Sequence, residues 1–154
     1  MIRVLRPLAA NVKKRLVKTP KIYIRDSGLL HGLLEIATAE NLLGHPVLGA
    51  SWEGWCVEQI TLALPRWRPS FYRTASGEEI DLILEKGLNR LAFEIKASPA
   101  PKVSRGFRGT LETIAPNRSW VVAPVTESYP LMPGVTVSSP TDLLDELAAL
   151  AASD

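Results

Sequence analysis

Apolar and polar positions alternate over Lys21-Ile-Tyr-Ile-Arg25, which predicts a short strand. Asp26 and Ser27 then offer N-caps to a helix running through Leu29, Leu30, Leu33, Leu34 and Ile36, and residues 38–44 read as a linker with little committed structure. Pro46 stands at a helix start, and the stretch to Leu64 is apolar enough for a largely buried helix that Pro65 closes. On a 3.6-residue period Glu53, Val57, Ile60 and Leu64 share one stripe, so Glu53 is the single acid on an apolar face. Glu58 has Gly54 and Thr61 as stripe neighbours, which assigns it to the solvent side.

Beyond Pro69 the period drops to two. Strands are predicted over 70–74, 79–85 and 91–97, joined by turns at 75–78 and 86–89 in which glycine supplies the backbone freedom. A helix over about 104–115, a strand over 119–123, a short strand near 135–137 and a C-terminal helix capped by Ser139 or Thr141 follow. The order of helix, three-stranded antiparallel meander, helix and strand defines an α/β fold with a mixed sheet and helices on both faces. Strand parity places Ile80, Leu82 and Leu84 on one face with Asp81 and Ile83 on the other. On the next strand Leu91, Phe93 and Ile95 share a face opposite Glu94 and Lys96. Asp81, Glu94 and Lys96 are thereby predicted on one side of adjacent strands.

The 154 residues, 46% of them apolar, suit one domain over 1–154 with a full core, and no internal repeat or low-complexity stretch divides it. Cys56 has no disulfide partner, and one Cys with two His is too few for the usual zinc sites, which excludes a disulfide-stapled scaffold and a zinc module. No apolar run is long enough to span a bilayer and no signal-peptide stretch follows the basic N-terminus, so the cytoplasm is the expected compartment and no membrane partner is expected. The net charge of +2 hides an asymmetry. Residues 1–25 carry eight basic and no acidic side chains, whereas residues 26–154 carry ten basic and sixteen acidic ones. The front end is therefore a basic extension, packed on the domain over 1–40. It is either a solvated cationic face or an attractor for phosphate backbones or an acidic partner, with Lys13, Lys14 and Arg15 at its centre.

Two carboxylates and an ammonium in reach of one another, Asp81, Glu94 and Lys96, can hold a hard divalent cation through oxygen and place a cation beside an attacking water. The same residues on facing strands also suit plain cross-strand ion pairs. Arg66, Trp67, Arg68, Phe71, Tyr72 and Arg73 interleave cations with rings, a pattern that either stacks bases and contacts phosphates or sets core rings inside an arginine rim. His31 and His45 read as turn or surface residues, and Trp52, Trp55 and Trp120 as core. Asn117-Arg-Ser119 has glycosylation spacing without a secretory context.

With Asp81 on the second strand and Glu94-Ile-Lys96 on the third, the chain resembles the PD-(D/E)xK nuclease superfamily, with its restriction-endonuclease-like fold. More closely, the blocks 18–30, 44–54, 71–81 and 93–98 resemble the C-terminal domain of unknown function, of the 4143 type, carried by prokaryotic AAA+-type ATPases. The superfamily resemblance implies that Asp81 and Glu94, with Glu53 from the first core helix, hold Mg²⁺, for which Mn²⁺ can substitute. It implies that Lys96 is the motif lysine, and that Lys102, Arg105 and Arg108, after the catalytic strand, contact phosphates; Arg73, from the interleaved cations and rings, is a further candidate for phosphate contact. Glu79-Ile80 stands where the motif has Pro before Asp81. Residues 44–49 have the glycine spacing of a Walker A loop, but Ala50-Ser51 stands where Lys-Ser/Thr is needed, so no ATPase module is expected in this chain. Three functions compete: a metal-dependent nuclease acting on nucleic acid, an inactive nuclease-like module that docks on an ATPase or DNA, and a homo-oligomerisation domain.

Overall fold

The computed structural model describes residues 1–9 and 15–152; Lys13 and Lys14 lie outside the described residues. The chain opens with an antiparallel ribbon of β1 (Ile2–Leu5) and β2 (Lys21–Ile24). Helices α1 (Ser27–Leu33), α2 (Ala39–Leu43) and α3 (Leu48–Ala63) follow. The expected meander is β3 (Arg68–Arg73), β4 (Glu79–Lys86) and β5 (Asn89–Ile95). Helix α4 (Phe107–Ile114) then crosses to β6 (Arg118–Val122), which lies parallel to β5. Strands β7 (Tyr129–Met132) and β8 (Val135–Ser138) and helix α5 (Pro140–Ala152) complete the described chain. The larger sheet is mixed and six-stranded, in the order β3-β4-β5-β6-β8-β7.

Capping explains several boundaries. Asp26 Oδ1 accepts from the Leu29 N–H at 2.9 Å and starts α1, which ends at Leu33, short of Ile36. Residues 38–44 are not a bare linker: Thr38 Oγ1 accepts from the Asn41 N–H at 3.1 Å, and that cap nucleates the single turn of α2. Ser139 Oγ caps α5 by accepting from the Asp142 N–H at 3.1 Å. Strand β7 escaped the sequence reading because Pro130 interrupts its pattern, and an edge strand tolerates a residue with no N–H to donate.

Helices cover both faces of the sheet. On one face Val57 and Ile60 of α3, Leu64 just past its end, and Leu143 and Leu147 of α5 pack on Leu82, Leu84, Phe93 and Trp120, the last two rings stacked at 5.1 Å. On the other, Phe107 and Ile114 of α4 pack on Ile83, Ala92, Val121 and Val137. The simple alternation expected of β4 fails at one point. Ser70 stands opposite Ile83 and Tyr72 opposite Ile80, so Asp81 and Leu82 together face the single residue Phe71. This bulge puts Ile80 in the α4-side cluster with Ile83 rather than with Leu82 and Leu84.

The ribbon is inverted relative to an ordinary amphipathic strand pair. Ile2, Val4 and Ile22 are 49–64% exposed, whereas Arg3, Lys21 and Tyr23 turn inward. The inversion follows from what the ribbon covers, because α3 presents Glu53 and Glu58 to it. Arg3 Nε donates to Glu58 at 2.5 Å, and Arg25 donates to the other carboxylate oxygen from Nε and Nη2 at 2.8 and 2.6 Å. The Glu58 side chain is only 6% exposed and that of Glu53 25%, so the solvent-side assignment of Glu58 is reversed: two guanidinium groups satisfy and cover it. The described parts of the connection between β1 and β2, around residues 6–8 and 15–17, lie along the outer edge of β3. Leu8 N–H donates to Phe71 O at 2.7 Å and Val17 N–H to Arg73 O at 2.8 Å, closing an otherwise open sheet edge.

Two tests of this docking arise. Burial pushes the Glu58 carboxyl up, but its hydrogen bonds with Arg3 and then Arg25 outweigh that and hold it below the ordinary glutamate value of 4.5. The resulting stabilisation is complete above pH 4.5 and is lost as pH falls through the lower folded value. Urea denaturation is expected to find Glu58→Gln about 1–2 kcal/mol less stable than wild type at pH 7, with the gap narrowing as pH falls from 4.5 through the lower folded value. At Gly54 a Cβ would lie 3.2 Å from Tyr23 Cδ1, so a side chain there would press on the Tyr23 ring by a few tenths of an ångström. Gly54→Ala is expected to speed amide exchange in β2 about three- to tenfold, while exchange in β5 and β6 stays unchanged.

Candidate functional site

The ribbon, α3 and the bulged end of the meander meet at a cluster of acids. The bulge frees Asp81 from the pleat and buries it, with Oδ2 accepting from the Ile95 N–H at 2.9 Å and Oδ1 from Lys21 Nζ at 3.0 Å. Glu53, half-buried on α3, accepts through Oε1 from Lys21 Nζ at 2.8 Å and Tyr23 Oη at 2.6 Å. Glu79 Oε1 lies 2.6 Å from Lys21 Nζ and accepts from Arg73 Nη2 at 2.6 Å. The Phe71 ring lies under both cations, with its centroid 5.6 Å from Lys21 Nζ and 5.8 Å from Arg73 Cζ. On β5, Glu94 Oε1 accepts from Lys96 Nζ at 2.7 Å, while its buried Oε2 has no hydrogen-bond partner.

The charges answer to this geometry. Burial raises Glu94 to about 7, with the nearby Asp81 charge adding to it, against the pull of Lys96. Asp81 is also raised, by burial first and by Glu53 second, although Lys21 and the Ile95 N–H oppose the shift. Burial acts against the Lys21 ammonium, yet Asp81 and Glu53 outweigh it and hold the amine above the ordinary lysine value. Lys96 is raised as well, its partner Glu94 prevailing over burial. Glu79 lies below its ordinary value because Arg73 and Lys21 overcome its burial.

Of the residues singled out from sequence, Asp81, Glu53, Glu94 and Lys96 fall in or beside this cluster, and Arg73 at its rim. Lys102, Arg105 and Arg108 are exposed, but only Arg108 is helical, because α4 begins at Phe107; Arg108 pairs with Glu112 at 4.0 Å. Arg15 is exposed and gives its carbonyl to the Ala75 N–H at 2.9 Å. Trp67, Phe71 and Tyr72 are buried, so they form core rather than a base-stacking platform. Trp120 is core and Trp52 and Trp55 are half-buried beside it. His31 Nε2 lies 2.7 Å from Ser51 Oγ, and His45 Nδ1 accepts from the Val47 N–H at the start of α3. Lys21, Tyr23 and Glu79 were missed. The trace of the first two was in plain view as the polar face of Lys21-Ile-Tyr-Ile-Arg25, but alternation does not say which face turns inward.

The donor set fits the ion that the superfamily resemblance implies. It is made of carboxylate oxygens, the choice of a hard cation, and it includes a buried oxygen that lacks a partner. Among the described residues no three His, Cys, Asp or Glu side chains are gathered into a ready cage. The cation among Glu53, Glu79 and Asp81 is Lys21.

A core helix, an antiparallel meander and a parallel crossover strand, with acids gathered at the bulged meander, define the class of domain. The family model described as Domain of unknown function (DUF4143) matches residues 48–142, and the chain belongs to that family. A second model, Domain of unknown function (DUF8612), matches residues 1–40, the ribbon and α1. Uncharacterized proteins of Mycobacterium tuberculosis and Mycobacterium bovis are each 40% identical over 156 residues, covering 97% of this chain and 35% of the relative. The chain thus spans about a third of the length of the curated relatives it matches. No solved structure matches it. No helix among the described residues is long and apolar enough to cross a membrane.

Proposed function

We propose that this chain is a Mg²⁺-dependent nuclease domain of the PD-(D/E)xK type, its mixed sheet corresponding to the restriction-endonuclease-like arrangement. The observation that carries the reading is Glu94: a nearly buried carboxylate, raised in pKa by burial and by the Asp81 charge, with one oxygen on Lys96 and the other unpartnered. Such a group is poorly satisfied by the protein alone, as a ligand awaiting a cation would be. Asp81, Glu94 and Glu53 are the residues that would hold Mg²⁺ or Mn²⁺. The bound ion would supply a Lewis acid for the phosphoryl oxygen and a water of lowered pKa.

The remaining work falls to side chains of this chain. Lys96, anchored on Glu94, is the donor that orients the attacking water or meets the charge growing on the phosphate. The Ile95 N–H holds Asp81 Oδ2 and so fixes which oxygen turns to the cluster. Lys102, Arg105, Arg108 and Arg15, all exposed, are the candidates to position a nucleic acid through its phosphates.

A second reading, a catalytically inactive module docking on an AAA+-type ATPase, draws support from Lys21, which already occupies the cluster with ion pairs to three of its acids, and from relatives about three times longer than this chain. One assay separates the two. Purified protein is incubated with supercoiled plasmid, single-stranded DNA and RNA in Mg²⁺, Mn²⁺ or EDTA. Metal-dependent cleavage is expected on at least one substrate, and its loss on Asp81→Ala ties it to this site. No cleavage of any substrate, together with no heat on titrating Mn²⁺, would leave the docking reading.

A further inference from the structure

Lys21 makes ion pairs with Glu53, Glu79 and Asp81 at 2.8, 2.6 and 3.0 Å, and its side chain is only 9% exposed. Its ammonium lies among two of the three carboxylates assigned above to the metal. A divalent ion bound by Asp81 Oδ1 and Glu53 Oε1 would need the oxygens that Lys21 now uses, and two cations cannot share them closely. A third acid, Glu94, has its side chain nine-tenths buried and one oxygen without a partner, so the cluster holds more acceptor capacity than Lys21 satisfies.

We propose that Lys21 is a built-in competitor of the divalent cation and sets the metal affinity of the site, an inference that rests on the metal-dependent reading above. Loading the ion requires Lys21 Nζ to leave Asp81 and Glu53. A cavity of about 440 Å³ between β2, α1 and α3 is lined by Lys21, Tyr23, Glu53 and Arg73 among others, and it is the space into which the amine would withdraw. Because Lys21 belongs to the ribbon, the docked ribbon favours the metal-free site. Whatever loosens β2 from α3 favours the loaded one. Arg3 and Arg25 on Glu58 then act at a distance, holding down the element that carries Lys21.

The test is calorimetric titration of Mn²⁺ into the full chain, as wild type, Lys21→Met and Lys21→Gln, each with and without Asp81→Asn, with circular dichroism as the check on folding. Lys21→Gln keeps a polar group for the acids should the apolar variant fail to fold. At least tenfold tighter Mn²⁺ binding in the Lys21 variants, removed by Asp81→Asn, is the expected result. Equal affinity in wild type and Lys21 variants would overturn the competitor role and leave the metal site standing. Absence of binding in every protein would bring down the metal reading and this inference with it. Unfolding of both Lys21 variants would make Lys21 a scaffold cation and overturn the proposal as well.

Discussion

Lys96→Met is expected to lower Mg²⁺-dependent phosphodiester cleavage by at least ~100-fold while leaving Mn²⁺ affinity within a few-fold of wild type. Lys96 follows β5 directly, its backbone N–H donates to Val122 O at 2.9 Å, and its Nζ is anchored on Glu94 Oε1 at 2.7 Å. It therefore has a fixed position next to a proposed metal ligand without itself being one. A positioned cation of this kind acts where charge develops in the transition state, and removing one such donor is worth roughly 3–4 kcal/mol of barrier. Asp81→Ala should differ in kind, losing metal binding and cleavage together because the carboxylate is the proposed ligand. Single-turnover cleavage of the substrate found in the nuclease assay, read beside Mn²⁺ calorimetry, separates the two effects. Wild-type cleavage by Lys96→Met would remove Lys96 from the chemistry.

In metal-free protein, Glu94→Gln is expected to raise stability at pH 8 by roughly 1–3 kcal/mol and to flatten its dependence on pH between about 5 and 8. Burial and the Asp81 charge raise Glu94 from the ordinary 4.5 to about 7. Between these values the folded protein holds a proton that the unfolded chain has released. Wild-type stability must therefore rise as pH falls from about 7 toward 4.5, the reverse of what Glu58 contributes. Above pH 7 both states are ionised and the full penalty remains, which the neutral amide removes. Loss of the Lys96 contact opposes the gain and sets the lower end of the range. Urea titrations in EDTA at pH 5, 6.5 and 8 would decide it. A destabilised Glu94→Gln at pH 8 would mean that the Glu94–Lys96 pair is scaffold, as in the docking reading.

The inverted ribbon links these results to the fold. Its inward cations answer the acids of α3 and the meander, so three of the eight positive charges of residues 1–25, those of Arg3, Lys21 and Arg25, pair with acids of the domain. The expectation of a cationic face free to meet phosphate holds for none of Arg3, Lys21 and Arg25, which are engaged with Glu58, Glu53, Glu79 and Asp81.

Local rules carried the sequence reading a long way. Period-two patterning and glycine turns located the meander, proline and apolar content located α3, and the stripe through Glu53 singled out the acid of α3 that reaches Asp81's partner Lys21. These features depend on neighbours a few residues apart, which a sequence displays directly. What tertiary structure alone decided lies at longer range. The bulge that removes Asp81 from strict alternation is a register choice between β3 and β4 and leaves no mark in either strand's own pattern. Edge strands β1 and β7 depend on a partner to exist as strands. The inward turn of Lys21 and Tyr23 is decided by Glu53, about thirty residues away, and by Asp81, sixty away, because a strand's polar face goes inward only when buried charge waits there to receive it.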